Sequence, residues 1–175
     1  MNPAHLHLMV NHVPVIGAIL AAGLLGYGVF TKSSDLSRVA LGLFVLMAVA
    51  GLAVYLTGEP AEEMVERLAG VSETALHLHE DAALIATILL GAYGLFAAGV
   101  LLVYRRRGTV LPASTAMLAF ALSLVPVATM GYTANLGGHI RHDEIGDAAP
   151  AYEAMADPDE VIPPPMFPAT RTLDF

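Results

Sequence analysis

Four long stretches without a charged residue alternate with polar segments along the chain, at about residues 8–30, 39–56, 82–104 and 109–134. Apolar side chains occur on every helical face of these stretches, and none shows the alternation that marks a half-buried strand. Each is close to the ~20 residues that cross a hydrocarbon core of ~30 Å as a helix. Within that core, only helices or closed barrels satisfy the backbone polar groups. The pattern predicts an all-α fold, an integral membrane four-helix bundle.

The polar connection at residues 57–81 has a helical pattern of its own. Pro60 suits the first turn of a helix, and neighbouring glutamates lie on one face at helical spacing: Glu59, Glu62, Glu63 and Glu66. Gly70 is typical of a residue that ends a helix, and Ser72 of one that caps the next. We therefore expect a short interfacial helix here. The third spanning helix should begin near Glu73 and project beyond the membrane.

The composition changes after His142. Residues 143–175 are rich in Asp, Glu and Pro, and apolar side chains are spaced along them: Met166, Phe167, Leu173 and Phe175. Such segments bury too little apolar surface to fold alone. We divide the chain into a four-helix transmembrane domain at 1–142 and an acidic, Pro-rich tail at 143–175. The tail is expected either to lie as a strap across a partner protein or to be a solvated extension.

Composition agrees with a membrane protein and narrows its chemistry. The 175 residues are 56% hydrophobic and 14% charged, with a mean hydropathy of +0.65. The sequence contains no cysteine, which excludes disulfides, thiolate metal sites, cysteine-ligated iron–sulfur clusters and CxxCH haem attachment. Any cofactor must therefore be held by nitrogen and oxygen ligands.

The distribution of charge predicts the orientation. The two short loops after the first and third stretches hold five of the eight Lys and Arg residues: Lys32, Arg38, Arg105, Arg106 and Arg107. Such loops are cytoplasmic by the positive-inside rule. Both termini and the 57–81 connection then lie on the periplasmic side of a bacterial inner membrane, with every acidic residue except Asp35. The net charge of −8 thus describes an acidic outer face, and nucleic-acid binding has no support.

All seven histidines lie outside the apolar stretches or at their ends, in three groups: His5, His7 and His12; His77 and His79; His139 and His142. On the predicted topology the three groups meet in one layer on the outer side. Histidine is the commonest metal ligand and also ligates haem, so this convergence indicates a cofactor site. His79 continues into a stripe of small residues and should face the bundle, whereas His77 points about 200° away around the helix.

Two cofactor chemistries fit these residues. For haem b, we expect ligands from facing helices: His12, His79 and His139, followed by His7. For a non-haem iron, copper or zinc centre, carboxylates join the set: His12, His79, His139, His142, Glu59, Glu63 and Glu80. Carboxylates that orient the imidazoles are expected in either case. The alternative is that the histidines are interfacial side chains whose polar tips meet water and lipid headgroups.

The N-terminal segment HLMVNHVP at residues 7–14 resembles a known family. The spacing of His7, His12 and Pro14 is similar to the HPxxVHFP signature that opens a family of small four-helix bacterial membrane proteins of unknown function. Leu8 and Asn11 depart from that signature, and the resemblance covers this segment and the number of helices. It implies a fold and a membrane location but no activity.

These observations predict a histidine-ligated redox subunit, with haem b or a non-haem metal, at the periplasmic face of a membrane electron-transfer complex. Its partners would be the lipid bilayer and other membrane or periplasmic redox subunits, contacted by the C-terminal tail. No nucleophile stands in a recognisable triad or elbow, so we expect electron transfer rather than stand-alone catalysis. Two alternatives remain: a cofactor-free accessory subunit that braces a larger complex, and a metal-ion acceptor that assists transport.

Overall fold

A computed structural model describes residues 3–65 and 73–139, and both ranges are helical without a strand. The helices are α1 (Pro3–Val10), α2 (His12–Phe30), α3 (Ser34–Leu56), α4 (Gly58–Val65), α5 (Glu73–Arg107) and α6 (Ala113–His139). Four helical spans have the length and hydropathy to cross a membrane: Ala4–Phe30, Ser34–Met64, Thr74–Arg107 and Ala113–Gly138. The prediction of an all-α membrane protein with four spanning helices is confirmed. The tail at 143–175 lies outside the described residues.

The four long helices form a ring in which each packs against two neighbours. Helix α3 lies between α2 and α5, and α6 closes the ring by packing on both α5 and α2. The short connections at residues 31–33 and 108–112 make α2 and α3, and α5 and α6, antiparallel neighbours. The two short helices, α1 and α4, pack against each other.

Small side chains line the centre of the bundle and let the helices approach closely. The fully buried residues include Ala18, Ala21, Ala40, Ala86, Ala97 and Ala119. On α5, Gly94 lies directly against Ala48 of α3, so that a side chain at this position would meet the Ala48 methyl group. Without a hydrophobic driving force between helices in lipid, such close van der Waals contact is what holds them together.

Helix α5 is longer than the membrane requires. Its 35 residues extend about 52 Å at the α-helical rise of about 1.5 Å per residue, against a hydrocarbon core of ~30 Å. The continuous helix from Glu73 through Tyr104 is as predicted, because no breaker interrupts it. Pro60 lies in the first turn of α4, also as predicted. The connection at 66–72, where α4 was expected to end at Gly70, lies outside the described residues.

The two basic loops lie at the same end of the bundle and are joined to each other. The Arg38 guanidinium donates to the Thr109 carbonyl oxygen at 2.6 Å, and the Leu111 N–H donates to Ser34 Oγ at 3.0 Å. Because the helices alternate in direction, the parts of α1, α3 and α6 that carry or contact histidines lie at the other end of the bundle. We call the end with the two basic loops the basic end and the opposite end the histidine end.

Candidate functional site

The first spanning segment is interrupted at Asn11, which separates α1 from α2. Pro14, about one turn after Asn11, has no N–H to donate to the Val10 carbonyl oxygen. One helical hydrogen bond is therefore missing next to the interruption. The Asn11 N–H still donates to the His7 carbonyl oxygen at 2.9 Å. Helix α1 therefore lies on the N-terminal side of the interruption. It packs on α4 and brings His7 to the end of α3.

The half-buried His7 ring is held by a threonine at the end of α3. Its Nδ1 lies 3.0 Å from Thr57 Oγ1, and the Thr57 hydroxyl donates its proton to the Val54 carbonyl oxygen at 2.7 Å. Because a hydroxyl has one proton to give, Thr57 Oγ1 must accept from His7, and His7 Nδ1 must carry a hydrogen. The neutral ring then keeps its lone pair on Nε2.

The half-buried His79 ring is held by α6 in the same way. Its Nδ1 lies 3.0 Å from the Thr133 carbonyl oxygen, which can only accept, so this nitrogen also carries the hydrogen. Gly137, one turn further along α6, lets the ring lie against the helix, because a Cβ there would stand 3.1 Å from His79 Cε1. His79 thus faces the bundle, in the direction that helical spacing predicted, and in the neutral ring its lone pair lies on Nε2.

His7 and His79 form a pair across the bundle. The two rings are near enough for a charge on one to act on the other, although their helices are distant in sequence. Each ring has its Nδ1–H fixed by a protein oxygen, so that in the neutral ring the lone pair lies on Nε2. A histidine that ligates a metal typically has its other ring nitrogen bonded in this way. We refer to these two residues as the histidine pair.

Asn11 adds an oxygen on the same helical face as His7, one turn deeper. Its Oδ1 is buried and has no hydrogen-bond partner within the described ranges. A buried carbonyl oxygen left without a partner costs about 1–3 kcal/mol, so a donor or a cation near it would be stabilising. Asn11 Oδ1 is therefore a potential oxygen ligand one turn deeper than the His7 ring.

The other predicted ligands are placed differently. His12 is exposed, and its Nδ1 donates to the Leu8 carbonyl oxygen of its own helix at 3.1 Å. Helix α6 continues through Gly137 and Gly138 to His139, but the His139 side chain and His142 lie outside the described residues. The three predicted carboxylates are exposed: Glu59, Glu63 and Glu80. Of the histidines expected to ligate, the structure therefore brings together His7 and His79.

The helical phase of the first span explains why His7 and not His12 faces the bundle. The buried residues of α2, Pro14, Ala18 and Ala21, lie on one helical face, and that face continues backwards through Asn11 to His7. His12 shares the opposite, exposed face with His5. This helical phase can be read from the sequence, and it favours His7 rather than His12 as the ring that faces the bundle.

Three residues that support the histidine pair gave no signal in the sequence: Thr57, Thr133 and Gly137. Thr57 lies 50 residues from His7, and Thr133 lies 54 residues from His79. Gly137 is on the same distant helix as Thr133, and local spacing cannot pair positions so far apart.

A second group of ligand side chains lies between α4 and α5. Glu62, His77 and Glu80 each offer one ligand atom, and these atoms lie within 4.8 Å of one another. His77 Nδ1 is 3.9 Å from Glu80 Oε2. We refer to these three residues as the α4–α5 cluster. Glu80 was among the ligands expected for a non-haem centre, whereas His77 was not.

Comparison with protein-family models, with curated proteins and with solved structures gives no match for this chain. The resemblance of residues 7–14 to the HPxxVHFP signature stays a prediction. The site is a pair of oriented imidazoles at one end of a four-helix membrane bundle.

Proposed function

We propose that the protein is a redox subunit in which the histidine pair holds haem b or a non-haem metal ion, at the periplasmic face of a membrane electron-transfer complex. One observation carries this proposal: His7 and His79 come from distant segments, lie near enough for the charge of one to act on the other, and both have Nδ1–H bonded to oxygen. Such hydrogen bonds fix the tautomer and the ring orientation that a ligand histidine needs.

Both cofactor chemistries can use this arrangement. Haem b takes one or two imidazoles from facing helices of a bundle. A non-haem centre would use the same imidazoles together with oxygen ligands, and the buried Asn11 Oδ1 is one candidate. A set of nitrogen and oxygen ligands suits zinc, iron or copper(II). His139, two residues beyond Gly137 on α6, is the next imidazole expected at this level.

The periplasmic location follows from the positions of the basic loops. Lys32, Arg38 and the three arginines in the last turn of α5 stand at the basic end, and the positive-inside rule makes that end cytoplasmic. The histidine end, including α1 and α4, would then face the periplasm, with α4 at the membrane surface. No histidine occurs in the basic loops, so this chain would pass electrons along its outer face to a partner rather than across the membrane.

The test is an optical spectrum of the detergent-purified protein, oxidised and dithionite-reduced, with elemental analysis of the same sample. We expect either a b-type difference spectrum or close to stoichiometric iron, copper or zinc. His7→Ala and His79→Ala should each lose the bound group, because each removes a ligand. His5→Ala is the matched control, since His5 is exposed on α1, and it should bind as the unchanged protein does.

Thr57→Val extends the test to the hydrogen bond that orients His7. Removing such a partner typically lowers metal affinity about 10–100-fold, and Thr57→Ser should restore the affinity because it keeps the hydroxyl. Absence of haem and metal from protein produced with both in supply would overturn the proposal. Full retention in both histidine variants would do the same. Either result would favour the accessory subunit that braces a larger complex.

A further inference from the structure

The α4–α5 cluster is separate from the histidine pair. His77 and His79 are two positions apart on α5, so their side chains leave the helix about 200° apart. His79 turns toward α6, whereas the His77 and Glu80 side chains are 61% and 54% exposed on another face. Glu62 reaches the same place from α4. Three ligand-bearing side chains from two helices thus meet on a face of α5 that does not carry His79.

We propose that Glu62, His77 and Glu80 bind a divalent transition-metal ion of the zinc type, at a site distinct from the redox centre proposed above. Zinc takes imidazole nitrogen at about 2.0–2.1 Å and carboxylate oxygen at about 2.0–2.2 Å, so tetrahedral neighbours lie about 3.4 Å apart. The ligand atoms of the cluster, within 4.8 Å of one another, reach that spacing through rotations of two long glutamate side chains.

The charge and type of the ligands favour a divalent ion. Glu62 and Glu80 offer carboxylate oxygens and His77 offers an imidazole nitrogen, which are ligand atoms that a divalent transition-metal ion takes together. The exposed ion pair between His77 and Glu80 would by itself contribute little. A cation among the three groups also offsets the repulsion between the two carboxylates. One imidazole with two carboxylates is a set that zinc accepts readily.

The number of ligands leaves one coordination position of the ion open. Three protein ligands leave the fourth tetrahedral position to water, unlike structural zinc sites, which are closed by four protein ligands. The ion would also join α4 to α5, since α4 packs chiefly on α1. Metal occupancy would therefore bias the position of α4 relative to the long third spanning helix.

The test is a titration of the full chain in detergent with Zn²⁺, followed by calorimetry, and with Co²⁺, followed by its visible absorption. Glu62→Gln, His77→Ala and Glu80→Gln should each lower Zn²⁺ affinity by about tenfold or more, because loss of even an outer hydrogen bond at a metal site costs about 10–100-fold. Asp81→Asn and His5→Ala are the matched controls. Both residues are exposed near this end but outside the cluster, and neither change should alter the affinity.

Two further outcomes separate this site from its surroundings. If Asp81→Asn weakens Zn²⁺ binding as much as Glu80→Gln does, the ion is held by a diffuse acidic surface and the proposal is wrong. In the double variant with His7→Ala and His79→Ala, binding at the cluster should persist. Its disappearance there would assign the ion to the histidine pair and would also overturn the proposal.

Discussion

The two imidazoles of the histidine pair owe their chemical character to the oxygens that face them. A carbonyl at Thr133 and a hydroxyl that has already given its proton at Thr57 can only accept. Each ring must therefore donate from Nδ1 and present Nε2. Because the rings are already oriented, binding a ligand would require little reorganisation of either side chain.

Gly137→Ala tests whether the position of the His79 ring matters for ligand binding. The added methyl group would stand 3.1 Å from Cε1, so the ring must shift by a few tenths of an ångström. Alanine in place of glycine otherwise favours a helix by roughly 0.5–1 kcal/mol. We expect a protein that unfolds no more easily but carries less haem or metal per chain, measured by spectrum and elemental analysis.

Gly138→Ala is the control for this change. A Cβ at Gly138 has nothing within 4 Å, and the substitution should leave the amount of bound cofactor unchanged. If Gly137→Ala and Gly138→Ala both bind as the unchanged protein does, the close approach of His79 to α6 has no part in holding a ligand.

At the scale of the helices, close approach of backbones decides which faces meet. Gly94→Ala places a methyl group against Ala48 on α3, and overpacking of this kind typically costs about 1–3 kcal/mol. We expect a lower free energy of unfolding, measured by thermal or denaturant unfolding in detergent.

Gly91 provides the comparison on the same helix, since a Cβ there meets nothing within 4 Å. Gly91→Ala should be neutral or slightly stabilising. Equal effects of the two substitutions would mean that the close contact between α3 and α5 at Gly94 does not determine the free energy of unfolding.

The extents of the helices were predictable where propensity and hydropathy agreed. Helix α5 runs from Glu73 because no breaker intervenes. Helix α6 extends beyond the apolar run that ends near residue 134 and continues through Gly137 and Gly138. Glycine disfavours a helix by about 1 kcal/mol, but here one of the two glycines packs on His79. That tertiary contact is invisible in the local sequence, as are the bonds of Thr57 and Thr133 to the rings.

At the scale of the whole molecule, the bundle has two chemically different ends, and the orientation proposed for them can be measured. The chain has no cysteine, so single introduced thiols report position without background. Asp81→Cys lies on the exposed surface of α5 at the histidine end, and Val110→Cys is 71% exposed at the basic end. In intact spheroplasts we expect a membrane-impermeant maleimide to label the first variant and not the second.

Permeabilised membranes should make both thiols reactive. The opposite pattern in intact spheroplasts, with Val110→Cys labelled and Asp81→Cys protected, would reverse the orientation. The histidine pair would then face the cytoplasm, and a periplasmic electron-transfer partner would be ruled out.

The hydrogen bonds at the two ends also differ in what they hold. At the basic end, Arg38 and Ser34 of α3 bind the loop that leads into α6. At the histidine end, the hydrogen bond of His7 connects α1 to the end of α3, and that of His79 connects α5 to α6. Coupling free energies are reciprocal. If the hydrogen bonds of His7 and His79 increase the affinity for a ligand, binding of that ligand stabilises the same helix contacts by the same free energy. If a partner protein moved α1 away from α3, the affinity for such a ligand would fall. Movement of α1 and release of the ligand would then be two sides of the same equilibrium.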